Sequence, residues 1–97
     1  MDKTQLFHEI SIEILNSFRT ITSYNKKTID IYDCDIFNKL EYLSFLTNTH
    51  KIRYSDVLRF FDNTIIHMYD EMNDKEENKN NYREFRVLYK RIKRDRT

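Results

Sequence analysis

Neither glycine nor proline occurs anywhere in the 97 residues, although ordinary usage supplies roughly ten of the two at this length. Tight hairpin turns and phosphate-cradling loops use the positive φ that glycine tolerates. Glycine-based nucleotide-binding motifs are therefore excluded, and a sheet-rich fold is disfavoured. Helices joined by polar connectors need neither residue. The expected class is all-α, as a single domain over residues 1–97.

Hydrophobic periodicity places four helices at about 3–21, 36–47, 56–72 and 81–95. In the first, Phe7, Ile10, Ile14, Phe18 and Ile21 share one face, widened by Leu6 and Leu15. Asp2 with Gln5 has the spacing of a capping box. The second, opened by Asp33 or Asp35 as N-cap, is ringed by Ile36, Phe37, Leu40, Tyr42, Leu43, Phe45 and Leu46. A helix apolar on nearly every side belongs at the centre of a bundle. Ser55 reads as the N-cap of the third helix, where Leu58, Phe61, Ile65, Met68 and Met72 form a 3-4-3-4 seam. Asn81 with Glu84 reads as the capping box of the fourth, whose seam is Tyr82, Phe85, Tyr89 and Ile92, backed by Leu88. The polar run Asn73 to Asn80 is short enough to fold helices three and four into an antiparallel hairpin. Thr28–Tyr32 and Lys51–Tyr54 alternate as short strands would, but an isolated pair is marginal in water and both are expected as extended connectors.

A lone cysteine, Cys34, forbids an internal disulfide and suits a reducing compartment. No apolar stretch approaches the length of a membrane span, and the first residues do not read as a signal peptide. The expected location is the cytoplasm, with no membrane partner. Abundant Asn, Lys, Ile and Tyr point to A/T-rich coding, as in phages, mobile elements and low-GC bacteria.

The chemistry-bearing residues form no catalytic constellation. His67 and Glu71 stand four apart on one helix face, but His8 and His50 lie in no ligand motif and a closed zinc site takes four ligands. Arg59 and His67 approach the Arg-His pairing of some helical ribonucleases, yet their spacing is too long. No cofactor, metal site or enzyme activity is expected.

Charge is unevenly distributed. Residues 83–97 carry seven basic side chains against two acidic ones, net +5, while the other 82 residues carry ten against fourteen, net −4. Arg83, Arg86, Lys90, Lys93 and Arg94 fill a helical arc beside the apolar seam, with tyrosines at its border. Such a stripe is the footprint of a phosphate-binding or acidic-partner surface. It is also what a solvated terminal helix looks like, with cations near its negative end. In an antiparallel hairpin this basic end would approach Lys51, Arg53 and Arg59, leaving Asp70, Glu71, Asp74, Glu76 and Glu77 at the other pole.

The runs Asn38-Lys-Leu-Glu41-Tyr-Leu, Tyr54-Ser-Asp-Val-Leu-Arg-Phe-Phe61, Ile65-Ile-His-Met-Tyr69-Asp-Glu and Tyr82-Arg-Glu-Phe85 with Leu88-Tyr89 resemble a helical module of uncharacterised bacterial and phage proteins. The resemblance covers about residues 36–92 and implies helices without implying an activity. The expected function is that of a small non-enzymatic binding or regulatory protein, encoded by a phage or mobile element and occupying a protein partner. The alternative is nucleic-acid binding through the basic fourth helix. Aromatics left uncovered, such as Phe45 or Phe60, favour a homodimer.

Overall fold

The computed structural model describes residues 2–24, 36–73 and 81–96, with side chains for all of these except 19–24 and 73. It is an all-α bundle of four helices: α1 (Lys3–Tyr24), α2 (Ile36–Asn48), α3 (Tyr54–Asn73) and α4 (Arg83–Arg96). The caps expected at Asp33 or Asp35, the alternating run 28–32, Cys34 and the acidic connector 74–80 lie outside the described residues.

Helix α2 packs against α1, α3 and α4, and so occupies the centre. Ile36, Phe37, Leu40, Leu43 and Leu46 are its buried face, yet Tyr42 and Phe45 remain largely exposed, so one side of α2 meets solvent. Ser44 and Thr47 are also fully enclosed. Each hydroxyl donates to the carbonyl one turn back, on Leu40 and Leu43, at 2.7 Å, which satisfies it inside the core. Around α2 gather Phe7, Ile10 and Ile14 of α1, Val57, Phe61, Ile65, Met68 and Met72 of α3, and Phe85, Leu88 and Ile92 of α4. Helices α3 and α4 run antiparallel. Tyr54 near the start of α3 meets Arg91 and Asp95 near the end of α4, while Tyr69 and Asp70 meet Phe85 and Tyr89.

Two expected caps are replaced. Ser55 lies inside α3, because the first helical bonds run from Asp56 N and Val57 N to the Arg53 carbonyl. Ile52 and Val57, both buried, take the flanking positions of a hydrophobic staple, so burial of Ile52 starts the helix earlier. Helix α4 begins at Arg83, not Asn81, and its cap comes from another helix. Glu41 of α2 accepts hydrogen bonds from Glu84 N (3.1 Å) and Phe85 N (2.8 Å). The Glu84 side chain, expected to reach back toward Asn81, instead accepts from Asn48 Nδ2 at 3.1 Å. At α1 the expected cap forms, with Gln5 N donating to Asp2 Oδ1 at 2.8 Å.

The end of α2 shows how a chain without glycine turns. His50 adopts φ 63°, its N–H donates to the Thr47 carbonyl, and Lys51 N–H donates to the Leu46 carbonyl. This is a Schellman termination with histidine at the left-handed position where glycine is usual.

Candidate docking groove and cationic helix face

Between α1 and α3 the bundle leaves an open apolar groove of about 390 Å³. On α1, Thr4, His8, Ser11 and Leu15 follow a 4-3-4 spacing beside the core stripe and form one wall; Phe60 forms the other, and Phe7 with Phe61 the floor. The three phenylalanines touch, with ring centroids 5.8 Å apart for Phe7–Phe60 and 5.9 Å, edge-on, for Phe7–Phe61. Phe60 is 64% exposed and Leu15 55% exposed. Leu15, expected to widen the core face of α1, is therefore a groove residue.

On the other flank, α4 buries Phe85, Leu88 and Ile92 and turns its opposite side to solvent. Arg83, Lys90, Lys93 and Arg94 are exposed there and Arg86 is half-buried. The remaining basic residues of this helix serve the fold. The Arg91 guanidinium stacks on the Tyr54 ring at 3.6 Å, and Arg96 donates to Asp62 at 3.0 Å and Asn63 at 2.7 Å. Both acidic residues of α4 are also engaged: Glu84 with Asn48, and Asp95 with the Tyr54 hydroxyl at 2.7 Å and the neighbouring Arg94. The hydrogen bond from Arg96 holds the Asp62 carboxyl below its usual value, and the bond from Tyr54 does the same for Asp95.

Of the other expected site residues, Arg53 and Arg59 turn toward the groove. Arg53 donates to Thr4 Oγ1 at 2.8 Å, and the Arg59 guanidinium lies 5.9 Å from the Phe60 ring centre. Lys51 is exposed on the turn between α2 and α3. His67 pairs with Glu71 at 3.9 Å, both well exposed, and no group of three His, Cys, Asp or Glu side chains suited to a metal occurs among the described residues. No described helix is long and apolar enough to cross a membrane.

No known family, curated protein or solved structure matches this chain. The sequence reading found the cationic face but missed the groove. The available signal was the second stripe at Thr4, His8, Ser11 and Leu15, which is only weakly apolar and becomes a wall only once Phe60 stands opposite.

Proposed function

We propose that this chain is a non-enzymatic binding or regulatory protein that occupies a protein partner, receiving an apolar side of that partner in the α1–α3 groove. The observation that carries the reading is Phe60, a phenylalanine 64% exposed beside a groove floored by two further phenylalanine rings. Large exposed apolar side chains gathered at one place mark interaction sites on small domains, and aromatic anchors set in apolar pockets dominate interface energetics. A groove between two helices suits the apolar stripe of a third, read at helical spacing. The lone cysteine and the A/T-rich residue usage support action in the cytoplasm of a bacterial cell, for a chain carried by a phage or mobile element.

The test is capture from host lysate on the immobilised protein, with Phe60→Ser and Leu15→Ser as groove variants. Both residues are more than half exposed, so helicity by circular dichroism should be retained. The groove variants should lose a protein that wild type and an Arg86→Ala/Lys90→Ala variant both retain. If the groove variants captured the same proteins as wild type, the groove would not be the docking site.

A further inference from the structure

We infer that the solvent face of α4 is a second docking surface, for the phosphate backbone of duplex nucleic acid, separate from the protein-binding groove. Four observations converge on it. The first is the sorting of charge within the helix. Arg91 and Arg96 are spent on Tyr54, Asp62 and Asn63, while Arg83, Arg86, Lys90, Lys93 and Arg94 share the outward side. Glu84 reaches to Asn48 and Asp95 to Tyr54, although Asp95 also accepts from Arg94 at 3.5 Å, so the row's positive field rests on Arg83, Arg86, Lys90 and Lys93.

The second is position along the helix. Cations near the carboxyl end are expected on purely structural grounds, because they meet the negative pole of the helix dipole. Arg83 and Arg86 lie in the first turn or so, at the positive pole. The dipole disfavours cations there, so it does not explain a row that runs the whole length.

The third is what the face lacks. Val87 is the one large apolar side chain exposed on α4. The core of a protein–protein interface is apolar and aromatic, with arginine enriched but lysine depleted, and this face has no apolar core for its arginines to frame. Phosphate docking needs no such core, since Arg and Lys supply affinity by neutralising phosphates and releasing counterions. The fourth is reach. From Arg83 to Arg94 the row spans ~16 Å at the helical rise, long enough to follow several phosphates of a duplex. No base-reading element accompanies it among the described residues, so binding should be independent of base sequence.

The two surfaces do not compete. On α3, Phe60 faces the groove and Asp62 faces α4, and these residues lie about 200° apart around the helix.

The experiment is fluorescence anisotropy of the full chain with labelled duplexes of two unrelated sequences, DNA and RNA in separate arms, across a salt series. Saturable, sequence-independent binding is expected at low salt. Four phosphate contacts on duplex DNA give a log–log salt slope of roughly −3 to −4. Arg86→Ala/Lys90→Ala should reduce that magnitude by about two while helicity is retained, and Phe60→Ser should leave it unchanged. Binding in only one arm would name DNA or RNA as the natural duplex. The inference is overturned by no saturable binding at about 50 mM salt, where such contacts are strong, or by an unchanged slope in the double variant. Binding to anionic lipid vesicles but to neither duplex would overturn it too.

Discussion

Tyr54 and Tyr89 clasp α3 to α4, each donating its phenol to a carboxylate on the facing helix at 2.7 Å, Tyr54 to Asp95 and Tyr89 to Asp70. Tyr89 also stacks on Tyr69, with ring centres 4.0 Å apart. Burial, followed by the Asp95 bond, pushes the Tyr54 phenol up to about 12, and the Asp70 bond, followed by burial, does the same for Tyr89. A phenol raised above its ordinary 10.0 contributes stability that is whole below pH 10 and is lost as pH rises toward about 12. Alkaline titration followed by phenolate absorbance should show both phenols ionising well above pH 10, with α4 loosening in the same range. Asp70→Ala should bring Tyr89 back toward 10; a wild-type Tyr89 that already ionises there would mean the clasp is absent. None of these pairings is legible in the sequence, because their partners stand 19 and 41 residues apart. The left-handed His50 was equally hidden. Nothing in the run Thr49-His50-Lys51 marks a turn residue, and only the bonds closing on Thr47 and Leu46 reveal it.

At the scale of the helix, periodicity was a reliable guide to cores and a poor one to ends. Stripes such as Phe7, Ile10 and Ile14 or Phe85, Leu88 and Ile92 repeat at helical spacing and are buried, whereas Leu15, Tyr42 and Phe45 at the margins of such stripes stay exposed. Caps depend on whichever group reaches the open N–H groups. For α4 that group is Glu41, more than forty residues upstream, so a local Asn81–Glu84 pattern was a false signal. Glu41→Ala should therefore destabilise the protein by about 1–2 kcal/mol in urea denaturation, the size of a lost N-cap near a helix dipole. The central helix sets the upper bound. Leu43→Ala, which empties a fully buried site of α2, should cost about 2–5 kcal/mol. If Glu41→Ala left the urea midpoint unchanged, the bonds to Glu84 N and Phe85 N would contribute nothing to folding.

Across the whole molecule, the all-α class and the central place of α2 could be read from the absence of glycine and from the density of apolar residues between Ile36 and Leu46. The groove could not, because its lining comes from two helices, Thr4 to Leu15 of α1 and Phe60 and Phe61 of α3, that meet only in the folded bundle. A second copy is one protein such a groove can hold, and a self-matching patch is what a two-fold dimer requires. Sedimentation at high micromolar concentration is expected to show a dimer that Phe60→Ser converts to monomer. A strict monomer in wild type would reserve the groove for a foreign partner.

The reach of Glu41 to the start of α4 also sets an order of assembly. Short helices have little stability of their own in water, and α4 lacks a local cap while carrying cations at its positive pole. Its first turn is completed only when α2 is already formed and in place. The outward row of arginines and lysines is therefore a late product of folding, presented by chains with a finished core and withheld by chains in which α2 and α4 have come apart.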